Sequence, residues 1–177
     1  MHAHKTAISR SKASRPLRAA LHINAVSGRV LDFGCGRGRD WKELRKLGYK
    51  VTGYDPHYAP KKPRGKFQTV LMTYVVNVLQ IPQRDEALKL AWSYVKKGGR
   101  LIVTVRSEAE IEREAARSNW RPCREMGGGW ITSTNTYQRG YTYGALQALL
   151  RRTLDGFKNM QTGPINAGGV MVILLKG

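Results

Sequence analysis

The sequence predicts one α/β domain whose sheet is parallel at first and antiparallel at its end. Three observations lead to this prediction. Short β-prone runs and helical stripes alternate through the first half of the chain, and a glycine-rich turn follows the first β-prone run. Two further β-prone runs stand together at the end of the chain. With 177 residues, of which 41% are hydrophobic, the chain is long enough to bury one core.

The first half of this domain is predicted to contain a strand, a helix and a second strand. The two strands are expected at residues 29–33 and 50–54. The helix between them spans residues 39–47, where Trp41 and Leu44 share one face. A unit of this kind has parallel strands joined by a right-handed crossover.

The N-terminal segment is polar and basic. Residues 1–16 are predicted to form an irregular arm that ends at Pro16, and residues 17–23 one or two helical turns. We therefore divide the chain into a basic arm over residues 1–22 and a single domain over residues 23–177.

The remaining elements follow in chain order. They are a loop at 56–65, a strand at 68–72, a connection at 73–79, a helix at 83–95, a strand at 100–105, a helix from 107, a loop or short hairpin at 126–140, a helix at 142–154, and strands at 157–162 and 169–175. Ser107 and Thr142 are typical N-cap residues, and the basic residues and glycines at 96–99 suit a helix end. The last two strands are expected to pair antiparallel through a turn at Gly163 and Pro164.

The chain is strongly basic, with 31 Lys and Arg against 12 Asp and Glu and a formal net charge of +19. The basic residues cluster in segments expected to be loops or tails: Lys5, Arg10, Lys12, Arg15, Arg18 and Arg29; Lys61, Lys62, Arg64 and Lys66; and Arg117, Arg121 and Arg124. Such clustered charge is typical of proteins that bind nucleic acid. A need for solubility, or an arginine-rich proteome, is the alternative explanation.

Other classes of protein are disfavoured. Two cysteines, Cys35 and Cys123, do not make a disulfide framework. No stretch approaches the roughly 20 apolar residues that span a bilayer, and no apolar segment follows the basic N-terminus. The histidines show no metal-ligand spacing, so no metal is expected. These features predict a cytoplasmic protein without membrane contact.

The glycine-rich turn after the first strand is the most specific feature of the sequence. Gly34, Gly36 and Gly38 let the backbone turn tightly and let a ligand approach the free N–H groups of the following helix. Asp55 stands at the end of the second strand, where a carboxylate can accept both hydroxyls of a ribose. The spacing of the glycines differs from the G-x-G-x-x-G of dinucleotide-binding proteins.

The run at residues 31–36, Leu-Asp-Phe-Gly-Cys-Gly, resembles the first motif of class I S-adenosylmethionine-dependent methyltransferases. The resemblance implies a Rossmann-like methyltransferase sheet and S-adenosyl-L-methionine as the cofactor. Asp32 and the turn would hold the methionine part, and Asp55 the ribose. The cofactor-binding residues predicted in this way are Asp32, Gly34, Cys35, Gly36, Gly38, Asp55, Pro56 and Thr73.

The sequence departs from this family in one respect. The interval between Asp55 and the next strand at Gln68 is too short for the usual additional helix and strand. One strand and one helix of the usual set are therefore expected to be missing. Pro56, His57 and Tyr58 are candidates for part of the wall beside the adenine.

A narrower resemblance covers almost the whole chain and is to methyltransferase homologues associated with DNA phosphorothioation and modification genes. It is carried by residues 4–7, 14–16, 55–57, 74–78 and 132–139. It implies a link to DNA modification or to conflict between phage and host, with DNA favoured over RNA as the partner, or a DNA-modification complex.

The candidate catalytic residues are Tyr74, Asn77 and His57. Methyl transfer from a sulfonium needs an aligned nucleophile and modest acid–base help. The Asp/Asn-Pro-Pro-Tyr/Phe motif of adenine and cytosine amino methyltransferases is absent after the third strand, which disfavours transfer to a base amine. Each candidate has a structural alternative: Tyr74 could stack beside the cofactor, Asn77 could cap the next turn, and His57 could pack against adenine.

The candidate substrate-binding residues lie in the arm and in the polar loop before the last helix. They are Lys5, Arg10, Arg15, Tyr137, Gln138 and Arg139. Trp120 and Trp130 stand beside basic or polar loops and could stack on a base. The sequence thus predicts a methyltransferase that acts on nucleic acid. A small-molecule methyltransferase, another enzyme that uses S-adenosylmethionine, or a non-catalytic nucleic-acid-binding module remain as alternatives.

Overall fold

A six-stranded sheet with helices on both faces organises the molecule. The computed structural model of the chain describes residues 3–165 and 169–177, so residues 1–2 of the predicted arm lie outside it. In chain order the elements are α1 (Arg15–His22), β1 (Val30–Phe33), α2 (Arg39–Lys46), β2 (Val51–Tyr54), β3 (Phe67–Thr73), α3 (Gln83–Tyr94), β4 (Val95–Arg106), α4 (Glu108–Arg117), β5 (Arg121–Pro122), β6 (Trp130–Ile131), β7 (Tyr137–Gln138), α5 (Tyr143–Thr153), β8 (Phe157–Ile165) and β9 (Gly169–Lys176). Short 3-10 helices occupy Ala3–Thr6, Val76–Val78 and Glu125–Gly127.

The strand order of the main sheet is β2-β1-β3-β4-β9-β8. The first four of these strands pair in parallel, whereas β9 pairs antiparallel with both β4 and β8. Only β9 therefore runs against the other described strands of this sheet. This arrangement confirms the predicted Rossmann-like α/β fold with an antiparallel C-terminal part.

Two apolar layers hold the helices against the sheet. Alternate side chains of a strand point to opposite faces, and β3 shows this directly. Val70 and Met72 join the cluster under α3 and α5, while Leu71 joins the cluster under α1 and α2. Because β3 contributes to both layers, the three consecutive residues at its centre, Val70, Leu71 and Met72, are all apolar and buried, as expected of a strand that is covered on both faces.

Between β2 and β3 the chain forms neither helix nor strand. Residues 55–66, all of them described, contain one isolated bridge, between Asp55 and Ala59. The strand and helix that were expected to be missing are absent from this interval, and β2 is an edge of the sheet. The cavity beside β2 must therefore be closed by other parts of the chain.

The N-terminal segment is more ordered than the sequence predicts. Ala3–Thr6 forms a 3-10 helix, and α1 begins at Arg15. Pro16 is the second residue of this helix and does not end an arm, because proline in the first helical turn lacks only an N–H that would be unpaired there. Leu17 of α1 is buried against the sheet.

Two further predictions about element boundaries are wrong, and one is confirmed. β8 runs through Gly163 and Pro164 to Ile165, so the turn does not lie at these two residues; proline is tolerated because β8 is an edge strand. The segment at 96–99 belongs to β4, not to the end of a helix, because β4 begins directly after α3. The polar loop at 126–140 contains the hairpin of β6 and β7, to which β5 adds a third strand.

The helix caps match the sequence. Ser107 and Thr142 accept hydrogen bonds from the N–H groups of Glu110 and Ala145 at 3.2 and 3.1 Å. None of the helices in the described ranges is long and apolar enough to cross a membrane.

Ser14 links the N-terminal segment to the first βα unit. Its oxygen caps α1 by accepting from Leu17 N–H at 3.1 Å, and its hydroxyl donates to Asp40 Oδ2 at 2.5 Å. We expect Ser14→Ala to lower the free energy of unfolding by about 1–3 kcal/mol, because both the cap and the carboxylate lose a partner. Urea denaturation measures this, with the exposed Ser11→Ala as the control; equal stability of the two variants would contradict the linking role.

Candidate active site

A cavity of about 620 Å³ lies at the carboxyl ends of the parallel strands, where ligands bind in open α/β sheets. All the residues predicted to bind the cofactor line it: Asp32, Gly34, Cys35, Gly36, Gly38, Asp55, Pro56 and Thr73. The structure thus brings together side chains from β1, from the glycine turn, and from the ends of β2 and β3.

The glycine turn is fixed to the end of β2. The N–H groups of Gly34 and Cys35 both donate to the carbonyl of Tyr54, at 2.7 and 3.1 Å. Gly34 has a φ of 76°, and a Cβ there would collide with Val75. Glycine is therefore required at this position for both its backbone conformation and its size. Burial raises the pKa of the Cys35 thiol to about 12, so this cysteine is no nucleophile at neutral pH.

Asp55 lies against the same turn. Its Oδ2 accepts from Gly36 N–H at 3.1 Å, and its Oδ1 accepts from His57 N–H at 2.9 Å and Tyr58 N–H at 3.0 Å. These bonds hold the carboxylate at the cavity wall. Oδ2, which accepts one N–H, keeps further acceptor capacity, so a ribose hydroxyl could still donate to it.

Asp32 is the buried charge of the site. It is 3% exposed, and its Oδ2 has no hydrogen-bond partner among the described residues. Burial, and next the nearby carboxylate of Asp40, raise the pKa of Asp32 to about 8. A buried carboxyl oxygen without a partner is stabilised by a cation. The site therefore fits the ammonium group of the methionine part that the sequence resemblance implies.

The N-terminal segment closes the cavity on the side where a strand and helix are missing. His4 stacks on His57 with ring centroids 4.1 Å apart, and the Tyr58 hydroxyl donates to the His4 carbonyl at 3.2 Å. His57 thus stands at the cavity wall, where its ring packs against His4 of the arm. Contact with adenine and proton transfer both stay predictions for this residue.

Sequence reasoning missed part of this wall. The residues it did not assign include Thr6, Ala7 and Ile8 of the arm, and Gln83, Glu86, Ala87 and Leu90 of α3. Leu90 lies off the apolar stripe of its helix and is 38% exposed in the structure. A single apolar residue on a helix surface is common and does not indicate a ligand, so the sequence carried no signal for this part of the wall.

Tyr74 lies at the end of β3 in a strained conformation. Its φ is 58°, and its N–H donates to the carbonyl of Thr104 at 2.8 Å. The guanidinium of Arg10 stands 5.8 Å from the ring centroid. Burial above all raises the pKa of the Tyr74 phenol. At neutral pH the phenol is therefore protonated and can orient a ligand by hydrogen bonding, but it is not a base.

Asn77 lies outside this cavity, and its contacts are structural. It is fully buried; its amide donates to the carbonyls of Arg106 and Arg139 and accepts from the N–H of Arg106. The side chain joins the connection after β3 to β4 and β7. These contacts are structural, but they join strands and do not cap the next turn. Asn77 also lines the second cavity described below, so its catalytic role stays a prediction.

The candidate substrate residues divide into two groups. Arg10, Arg15 and Gln138 line a second cavity of about 730 Å³ beside the first. Lys5 is exposed and lines neither cavity. Tyr137 is buried and its hydroxyl donates to the Gly128 carbonyl, so this side chain holds the hairpin and does not face a substrate.

The side chain of Arg139 lies at a different cavity. It lines a separate cavity of about 310 Å³, and its guanidinium stands 5.1 Å from the ring centroid of Tyr141. Its backbone N–H donates to the carbonyl of Asn77 at 2.8 Å. Arg139 is therefore not among the residues that line the two larger cavities, although its backbone bonds to Asn77, which lines the second.

Comparisons with known proteins support the fold and the cofactor. A family model described as a methyltransferase domain matches residues 4–148. The 1,6-didemethyltoxoflavin-N1-methyltransferase of Burkholderia thailandensis, solved with S-adenosylhomocysteine, is 19% identical with a TM-score of 0.66, over 92% of this chain and 77% of that chain. The glycopeptide N-methyltransferase MtfA is 17% identical with a TM-score of 0.65, over 94% and 97% of the two chains.

A possible histamine N-methyltransferase of Thermotoga maritima is 22% identical with a TM-score of 0.59, over 92% of this chain and 88% of that chain. No curated protein matches the sequence significantly. At these identities the structures establish the fold. They do not bear on the narrower resemblance to phosphorothioation-associated proteins.

The raised pKa of Asp32 predicts a pH dependence of cofactor binding. Below pH 8 the carboxyl is largely protonated, and pairing with the ligand ammonium requires loss of that proton. The dissociation constant of S-adenosylhomocysteine should fall as the pH rises from 6 to 8, by up to about tenfold per pH unit. Calorimetry in buffers of different ionisation enthalpy would detect the released proton. Asp32→Asn should bind S-adenosylhomocysteine weakly and with an affinity that does not change with pH. If the affinity of the wild type is the same at pH 6 and pH 8, the prediction is wrong.

The contacts of Asn77 predict a loss of stability without a loss of chemistry. Asn77→Ala removes hydrogen bonds to three backbone groups, of which the Arg106 carbonyl keeps the N–H of Tyr141, and should lower the free energy of unfolding by about 2–4 kcal/mol. Well below its melting temperature, the variant should retain the wild-type affinity for S-adenosylhomocysteine and most of its methyl-transfer rate. A folded variant with no turnover would restore Asn77 as a catalytic candidate.

Proposed function

This chain belongs to the methyltransferase domain family and uses S-adenosyl-L-methionine as its cofactor, and from that premise we propose that its methyl acceptor is a nucleic acid. The observation that carries the proposal is the second cavity, which adjoins the cofactor cavity and has the cations Arg10, Lys12 and Arg15 along one side. A positively charged groove beside a methyl donor is suited to a phosphate backbone.

The charge of the whole chain supports a polyanionic acceptor. The net charge of +19 favours association with phosphates from a distance, because the protein field attracts them before contact. We propose that the basic segment over residues 1–22 provides the sequence-independent part of this binding. The narrower sequence resemblance favours DNA over RNA, and a role in DNA modification. The cytoplasm is the proposed compartment, since Cys35 and Cys123 are both free thiols.

The residues of the chain suit catalysis by positioning. Asp32, the glycine turn and Asp55 would hold the cofactor, which when bound supplies an electrophilic methyl group on a sulfonium. Tyr74 stands between the two cavities and can orient the acceptor through its protonated hydroxyl. No cluster of potential metal ligands exists within residues 3–165 and 169–177, so we assign the chemistry to proximity and hydrogen bonding.

A small-molecule acceptor is the second candidate. It is favoured by the structural neighbours, whose names refer to 1,6-didemethyltoxoflavin, a glycopeptide and histamine. A small neutral acceptor would not require the cations of the second cavity. Ionic strength therefore separates the two candidates.

Transfer of radiolabelled methyl groups tests the proposal. The purified protein should label DNA from a bacterial host, and RNA less well, and its affinity for DNA should fall steeply with salt. If three arm cations contact phosphates, the slope of log K against log salt should be about −2.7. Asp55→Ala is the control that removes the ribose contact and should abolish labelling while DNA binding persists. Absence of label in every nucleic acid, with salt-independent turnover of a small molecule, would overturn the proposal.

Should DNA binding occur without any methyl transfer to any acceptor, a binding module would replace the enzyme. That outcome is recognisable, because Asp55→Ala would then match the wild type in every measurement except cofactor affinity.

A further inference from the structure

The two larger cavities share a wall. Both are lined by the arm residues Thr6, Ile8 and Arg10 and by Tyr74 and Val78. A molecule in the second cavity would therefore contact the same side chains as a molecule in the first. At about 730 Å³, the second cavity has the size of a typical small-ligand pocket, suited to one nucleotide and too small for a duplex.

The charges around the second cavity are unequally neutralised. On the side of α4, Glu110 is paired with Arg106 at 2.8 Å, and Glu114 with Arg117 at 2.8 Å. On the side of the arm, the exposed cations Arg10, Lys12 and Arg15 form no salt bridge with a carboxylate in the described part of the chain. The excess positive charge lies on the arm side, which is the side that a phosphate would occupy.

One residue that lines this cavity has a buried polar atom without a partner. Gln138 lines the cavity, and its Oε1 is buried without a hydrogen bond among the described residues. A buried amide oxygen is stabilised when a ligand N–H donates to it. Asn and Gln amides also recognise nucleobase edges, because they present one donor and one acceptor side by side.

Aromatic side chains complete the walls. Trp120, at the end of α4, is half-buried and lines the cavity, with Tyr74 on the wall shared with the cofactor cavity. Glu110, Arg10, Arg106 and Arg15 line the same cavity as Tyr74, and the guanidinium of Arg10 stands 5.8 Å from the Tyr74 ring centroid. Stacking on aromatic rings is a common and sequence-tolerant way to hold a base.

From these observations we infer that the second cavity is a binding site for one nucleotide unit. Its phosphate pairs with Arg10 and Arg15, its base lies beside Trp120 and Tyr74, and an N–H of the base donates to Gln138. Gln138 is then the residue that discriminates between bases. The inference rests on the proposed function, of which it specifies the acceptor site.

The first experiment measures binding of the four deoxynucleoside 5′-monophosphates, their nucleosides and inorganic phosphate to the protein saturated with S-adenosylhomocysteine. At least one monophosphate should bind ten or more times tighter than its nucleoside and than inorganic phosphate. The double variant Arg10→Gln, Arg15→Gln should remove most of this advantage. The control double variant Lys50→Gln, Lys97→Gln removes the same amount of charge from exposed positions at the opposite ends of the strands. It should bind the preferred monophosphate as tightly as the wild type does. Equal losses in both double variants would overturn the inference.

The second experiment tests base discrimination. Gln138→Leu should weaken the preferred monophosphate at least tenfold while leaving the affinity for S-adenosylhomocysteine and the melting temperature close to wild type. The order of preference among the four monophosphates should also become flatter. An unchanged order in a folded variant would remove Gln138 from the site.

The two proposals can fail separately. If the protein methylates nucleic acid but both charge variants lose activity equally, the nucleotide site is wrong and the proposed function stands. If monophosphates bind as described but no nucleic acid is methylated, the site stands and the polymeric acceptor is wrong.

Discussion

The attachment of the glycine turn to the end of β2 is the constraint on which the site depends. The Tyr54 carbonyl accepts two N–H groups of the turn, and the Asp55 carboxylate accepts a third from Gly36. These bonds fix the separation between the first and second strands at their carboxyl ends. Because a side chain at Gly34 would collide with Val75, the same turn also sets the approach of the chain that follows β3. The first cavity is the space left between these fixed parts.

Asp32 shows how such a site is made ready for a charged ligand. Burial beside Asp40 holds its carboxyl in the neutral form, and one oxygen remains without a partner. The neutral form avoids a buried, unpaired charge in the absence of ligand. When a cationic ligand binds, the ionised carboxylate becomes the favoured form, because pairing with the cation stabilises it. Ligand binding and proton release are coupled at this one residue.

Because a strand and a helix are missing after β2, the N-terminal segment forms part of the wall of the candidate active site. Ser14 is held by the Asp40 carboxylate, and Tyr58 and His57 hold His4, so the arm crosses the open edge of the sheet. The arm thereby contributes to both cavities. Its cations lie where the cofactor side and the acceptor side meet, which connects the basic composition of the chain to the proposed acceptor.

The sequence by itself determined the parallel sheet, the glycine turn and the position of Asp55. These features depend on local backbone conformation and on spacing along the chain, which hydrophobic periodicity and glycine placement encode directly. Helix caps such as Ser107 could be predicted from the sequence for the same reason.

Only the tertiary structure decided which residues line the two cavities. The second cavity is lined by Gln138, Trp120 and the arm, which lie far apart in the sequence. Asn77 was a catalytic candidate from the sequence, but in the structure its amide bonds to backbone groups of Arg106 and Arg139. Side chains of the same type can face a ligand or pair with backbone. The choice between these states is set by packing between distant segments, which no local pattern records.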